Sequence, residues 1–178
     1  MRLLGLAVPW ADCNSKDVAS MLPTPKPVTT VFAKVAVNHL WEQGDGSPLR
    51  FTSDESWREV MQLRSQSDVL LTSSRTVVQD NPRMTLRHDE QRRCGPLRVA
   101  SDGRGELLHR SDLHFLNDKC ATVLVTCHSG TLQCANNKIH VGVPCTGVHP
   151  SPDALLEVAA ALAGGQIMLE AGGIFVEA

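Results

Sequence analysis

The chain of 178 residues carries 17 Lys and Arg against 19 Asp and Glu, a formal charge of −2, with 42% hydrophobic and 20% charged residues. That balance is the one expected of an ordinary globular domain; it excludes a disordered polyelectrolyte, a membrane-like composition and a molecule whose overall field would draw it to nucleic acid. At this length one hydrophobic core is expected, either as a single domain or as a piece of a larger one.

Residues 1–27 open MRLLGLAVPWADC and read as an irregular leader, with Pro23, Pro25 and Pro27 alternating at its end. Its apolar run is too short to span a bilayer and no small-x-small cleavage site follows, so a cytoplasmic location is expected. The folded unit is expected over residues 28–178. Val28 to Val37, VTTVFAKVAV, predicts a central strand buried on both faces. Lys34 inside it must reach the sheet edge or meet an anion, because an isolated buried ammonium is costly. After the breaker EQGDGSP, Thr52 and Glu55 have capping-box spacing, and Trp57, Val60, Met61 and the stem of Arg64 then share one face of a helix.

Asp68 to Ser73, DVLLTS, predicts a second buried strand, and Thr72 to Thr76 lead into a polar loop, VVQDNPR, where α/β enzymes place ligand groups. Further strands are expected at Leu97–Ser101, Ala121–Thr126, Ile139–Val143 and Gln166–Glu170. Ser151, Pro152 and Asp153 supply a hydroxyl cap, a first-turn proline and a first-turn acid for the helix ALLEVAAALA, which Gly164 and Gly165 should stop in a left-handed conformation. Near-continuous apolar strands separated by helices imply a three-layer α/β fold with a mostly parallel central sheet.

Several residue groups carry chemistry. Arg83, Arg87, Arg92, Arg93 and Arg98 form a basic stretch that could serve an anionic metabolite, with a solvated loop as the other reading for Arg92 and Arg93. Arg64 and Arg87, converging from different segments, would make a phosphate clamp, since each guanidinium presents a planar fork of donors. Asp80, before Asn81 and Pro82, caps a turn or binds a sugar hydroxyl. Glu170-Ala171-Gly172-Gly173 follows a strand with a diglycine that lets backbone amides approach a phosphate. The six cysteines include no Cys-x-x-Cys pair, so scattered reduced thiols and no metal site are expected. A Gly-x-Ser-x-Gly elbow and a zinc-deaminase signature are both missing from the sequence.

The segment LRSQSDVLLTSSRTVVQDNPRMTLR, Leu63 to Arg87, with PLRVASDGRGEL and IMLEAGG after it, resembles the reductase domain of bacterial bifunctional riboflavin-biosynthesis proteins of the RibD type, a domain that shares its fold with dihydrofolate reductase. The resemblance covers about Phe32 to Ala178. It implies reduction of the ribosyl group of a phosphorylated ribosylaminopyrimidine to a ribityl chain by NADPH, with a homodimer as the expected assembly and neither nucleic acid nor membrane as partner. By matching motifs it implies that Arg64, Met84, Arg87 and Glu170 bind substrate, that Val37, Thr76, Asp80, Gly172, Gly173 and Ile174 hold the cofactor, and that Lys34, Asp80 and Glu170 are catalytic. The chain departs from the family where Asn38-His39-Leu40-Trp41 replace Ser-Leu-Asp-Gly and where Pro48-Leu49-Arg50 replace Ser-x-Trp; the family's fold also continues with further strands where this chain ends at Ala178. These departures leave two alternatives to the riboflavin reaction: a diverged reductase of a related substrate, or a non-catalytic remnant.

Overall fold

The computed structural model describes residues 27, 30–33, 53–86, 95–128, 132–135, 137–145 and 147–171. In chain order the elements are β1 (Thr30–Ala33), α1 (Asp54–Gln66), β2 (Val69–Ser73), α2 (Ser74–Asp80), β3 (Leu97–Ser101), α3 (His114–Asn117), β4 (Thr122–Thr126), β5 (Leu132–Ala135), β6 (Lys138–Gly142), α4 (Pro152–Leu162) and β7 (Gln166–Leu169), with a 3-10 turn at Glu106–His109. Among the described residues the strands form one sheet in the order β1-β7-β2-β3-β4-β6-β5. Every pairing is parallel except that of β5 with β6.

The two faces of the sheet follow from the strand period of two. Val69 and Leu71 of β2, Val99 of β3, Val123 and Val125 of β4 and Ile167 of β7 face a core closed by Leu155, Val158, Ala159 and Leu162 of α4. Leu70, Ala100, Leu124 and Met168 face the opposite core, closed by Val60 and Met61 of α1, Val77 of α2, and Phe115 and Leu116 of α3. Handedness explains the segregation. The path from β2 through β3 and β4 moves one way across the sheet, and the return from β6 to β7 moves the other way; right-handed crossovers therefore require opposite faces for the helices of the two legs. The three-layer, mostly parallel α/β architecture is the one read from the sequence.

Several local expectations are corrected. β1 is an edge strand among the described residues, paired only with β7, with Val31 47% exposed. The α1 cap is Ser53, whose Oγ accepts the amide of Ser56, and Thr52 lies outside the described residues. The expected loop after β2 is instead α2, a two-turn helix closed at one end by Ser73 Oγ accepting the Thr76 amide and at the other by Asn81 in the left-handed region, φ 43°. Only Val77 of α2 is buried, which is why the segment has no helical apolar stripe to recognise.

Ser151 caps α4 as expected, accepting the amide of Ala154. Gly164 is not left-handed, however, and the helix ends at Ala163 with φ −134°. Gly164 is required for space, since a Cβ there would lie 2.3 Å from Asp68 Oδ2, the oxygen that accepts the Gln166 amide. The sequence reading also missed β5, joined to β6 by a tight turn in which Asn137 has φ 66°, a conformation asparagine tolerates better than most residues. Cys127 and Cys145, expected as thiols, form a disulfide across a separation of 18 residues. It joins the ends of β4 and β6, neighbours already registered by the Val143 amide donating to Thr126 O at 2.8 Å.

Candidate active site

The carboxyl ends of β2 and β7 lie side by side. Beyond the last β7 residue, Glu170 N still donates to Leu71 O at 2.9 Å, so the Glu170 backbone is fixed by the sheet. Arg64 comes from the last turn of α1. Side chains on a helix lean toward its N-terminus, which here carries the guanidinium up toward that sheet edge. There Nε donates to Glu170 Oε1 at 2.5 Å and Nη2 to Glu170 Oε2 at 2.6 Å, with the two side chains 8% and 11% exposed. Nη1 donates to Thr85 O at 3.2 Å, and the guanidinium carbon lies 6.0 Å from the centre of the Trp57 ring. These contacts use three of the five N–H groups of Arg64, and one on each terminal nitrogen remains for a further acceptor.

Residues 81–86 wall this site on the side where the Thr85 carbonyl meets Arg64. Asn81 Oδ1 accepts the His114 amide at 2.7 Å, tying the end of α2 to α3. Met84 has φ 50° although it is not glycine, a left-handed conformation that costs roughly 1–2 kcal/mol. Its side chain is 4% exposed and packs with the α1 and α2 residues of the second core. The carbonyls on either side of Met84 each accept from an arginine: Thr85 O from Arg64, and Arg83 O from Arg98 Nη1 at 2.7 Å.

Arg98 corrects a sequence reading. The basic stretch offered it to an anionic metabolite, yet it is fully buried on β3, bonded to Asp118 through Nη1 and Nη2 at 2.8 and 2.5 Å and to Thr122 Oγ1 at 2.7 Å. A signal was present, because an arginine flanked by apolar residues in a strand poses the same problem as Lys34 and needs a partner.

On α2, Thr76 Oγ1 lies 3.0 Å from Ser73 Oγ, a half-buried hydroxyl pair at the carboxyl end of β2. Asp80 ends the same helix on its exposed side, and the protein around its carboxyl displaces enough water to raise its pKa above the ordinary value. The structure thus brings Arg64 and Glu170 into contact and places Met84 in the wall beside them, with Thr76 and Asp80 together on α2. Lys34, Val37, Arg87, Gly172, Gly173 and Ile174 lie outside the described residues, as do the departures at 38–41 and 48–50. A separate cleft of about 250 Å³ opens between β1 and α1, lined by Phe32, Ser56, Glu59, Val60, Leu63 and Met168.

Residues 39–178 match the family model of the RibD C-terminal domain. The chain belongs to this family. No curated protein matches this RibD C-terminal domain in a sequence comparison, but solved structures do. It is similar to a diaminohydroxyphosphoribosylaminopyrimidine deaminase/5-amino-6-(5-phosphoribosylamino)uracil reductase of Thermotoga maritima at 17% identity and a TM-score of 0.60, over 89% of this chain and 41% of the other. It is similar to the RibD of Acinetobacter baumannii at 15% identity and a TM-score of 0.56, over 90% and 43%. A third likeness is to the riboflavin biosynthesis reductase Rib7 of Saccharomyces cerevisiae, at 16% identity and a TM-score of 0.52, over 89% and 68%. The chain therefore spans less than half the length of the first two of these proteins. At these identities the likenesses establish the fold of the RibD C-terminal domain, and the Arg64–Glu170 geometry is a property of this chain itself. Among its described residues no helix is long and apolar enough to cross a membrane.

Proposed function

We propose that this chain reduces the ribosyl group of 5-amino-6-(5-phosphoribosylamino)uracil to the ribityl product, using NADPH. The observation that carries this reading is the Arg64–Glu170 pair at the carboxyl edge of the sheet, where β2 also ends in the Ser73–Thr76 hydroxyl pair. Membership of the RibD C-terminal domain family supports the reaction class, and two of the similar proteins are named for this substrate or this pathway.

The described residues fit the cofactor in kind: a nicotinamide nucleotide needs hydroxyl and carboxyl partners for its ribose and carboxamide, and Thr76 and Asp80 offer both from one short helix. NADPH when bound supplies the hydride. Arg64 keeps two N–H groups for the substrate phosphate while Glu170 holds its guanidinium in plane. Because Glu170 neutralises Arg64, the site is pre-organised without leaving a buried charge unpaired. Asp80, with its pKa raised by desolvation, holds a proton at its carboxyl more readily than an ordinary aspartate, which suits the nitrogen that gains a proton as the open-chain sugar imine becomes an amine. Lys34 follows β1 directly in the chain, and in this reading its ammonium polarises that imine.

The test is loss of NADPH absorbance on mixing the purified chain with freshly generated substrate, with the ribityl product identified by mass. Substrate-dependent oxidation is expected in the wild type, with a raised substrate KM in Arg64→Ala. A folded sample that binds neither NADPH nor substrate would overturn the proposal; binding with turnover only of another phosphorylated aminopyrimidine would replace it with the diverged reductase.

A further inference from the structure

We infer that Arg98 is a positioning residue for the substrate loop: with Arg64 it clamps the carbonyls on either side of Met84, and so holds the loop against the site. The inference deepens the reductase reading and rests on it for the substrate side of its test. Its starting point is a division within one guanidinium. Nη2 serves the connection from α3 to β4, donating its two N–H groups to Asp118 Oδ1 and Thr122 Oγ1, with Cys120 O sharing one of them at 3.2 Å. Nη1 contacts Asp118 Oδ2 but also donates across to Arg83 O at 2.7 Å. One buried side chain on β3 thus joins the floor of the sheet to the residue before Met84, while Arg64 holds the residue after it.

Physical cost makes this more than packing. An arginine that is 0% exposed is expensive to bury, and an apolar residue at this β3 position would fill the same core without the desolvation penalty. The guanidinium carbon lies over the Phe115 ring, 4.8 Å from its centre, a cation–π contact that favours the charge in this core. Between the two clamped carbonyls lies the left-handed Met84, a conformation its own preferences oppose. Residues in such conformations persist only where their surroundings over-determine them, and the two arginine contacts supply that constraint. Loosening Arg83 O would let Met84 relax, move Thr85 O away from Arg64 and disturb the guanidinium that faces substrate.

The decisive comparison is Arg98→Lys, Met84→Gly and the double variant. A lysine ammonium keeps a charge for Asp118 but cannot span both arms. In Arg98→Lys, amide exchange over residues 83–86 should speed by about tenfold while the β3 and β4 amides change far less. The stability lost in Arg98→Lys should shrink in the Met84→Gly background, because glycine takes positive φ without cost. Substrate KM should rise with NADPH KM unchanged. Equal loosening of β3 and β4, with the same loss in both backgrounds, would reduce Arg98 to a core tie and overturn the inference. If Arg98→Lys does not fold, Asp118→Asn replaces it: exchange should then rise around residues 118–122 and stay unchanged at 83–86, and a loop that loosens equally would count against the clamp. Exchange and the stability cycle need no substrate, so a wild type without turnover would sink the reductase reading while leaving this result legible.

Discussion

Arg64 and Glu170 stand 106 positions apart and meet as a two-pronged ion pair, Nε to Oε1 at 2.5 Å and Nη2 to Oε2 at 2.6 Å. The pair joins α1 to the end of β7 at the place where the sheet presents its carboxyl edge. With side chains 8% and 11% exposed, neither partner can turn to water when the other is removed.

That geometry sets the first prediction. Glu170→Ala should lower folding stability by about 3–5 kcal/mol, because it strands a guanidinium in a nearly dry site. Replacing both partners, as Arg64→Met with Glu170→Leu, should recover most of the loss, since no charge then remains to be solvated. Urea unfolding of the two variants beside wild type checks it. Equal losses in the single and double variants would show that the energy resides in packing and not in the pair.

Gly164 supplies a test of close approach. A Cβ at this position would sit 2.3 Å from Asp68 Oδ2 and 2.6 Å from its Cγ. Gly164→Ala must push away the carboxylate that accepts the Gln166 amide at the start of β7, and should cost about 1–3 kcal/mol. Gly147→Ala is the control, with nothing within 4 Å of its added carbon, and should fall within about 0.5 kcal/mol of wild type. Chemical denaturation of both variants decides; equal midpoints would remove the steric account.

The contrast between these residues explains what the sequence could and could not reveal. β2, β3, β4 and β7 were legible because their apolar runs are buried on both faces, and α4 because Ser151, Pro152 and Asp153 announce its start. α2 was not, since its stability comes from Ser73 at one end and left-handed Asn81 at the other, with only Val77 buried. Arg64 and Glu170 were singled out individually, but their pairing depends on how β7 inserts between β1 and β2, a relation no local pattern encodes. The apolar neighbours of Arg98 signalled that it needs a partner, but which one was hidden, since Asp118 is 20 residues away, beyond any local spacing rule.

His140 predicts a pH dependence. Burial, and next the nearby His128, lower its pKa from the ordinary 6.5, and its Nε2 lies 2.7 Å from Thr126 Oγ1. The folded protein therefore binds a proton there less readily than the unfolded chain. Its contribution to stability is present above 6.5 and is lost as the pH falls through the lower folded pKa, so stability should rise with pH across that window. His140→Gln keeps a hydrogen-bonding side chain for Thr126 without titrating. Unfolding free energies measured across the window should show a shallower slope in this variant; an unchanged slope would assign the dependence to other groups.

The Cys127–Cys145 bridge gives the last prediction. Because β4 and β6 are already held by parallel pairing from Thr122↔Lys138 to Thr126↔Gly142, the bridge is not needed to set their register. Its effect should come from restricting the unfolded chain across the separation of 18 residues, about 3 kcal/mol in the chain-entropy account. Non-reducing peptide mapping of air-oxidised protein should recover the two cysteines in one linked species. A dithiol reductant should then lower the urea midpoint of the wild type and leave the Cys127→Ser, Cys145→Ser double variant unmoved, with the sheet intact in both. Retention of Thr126 O as acceptor for Val143 N after reduction, seen as slow exchange of the Val143 amide, separates this entropic role from a structural one: rapid exchange there would mean that the bridge itself holds β4 against β6.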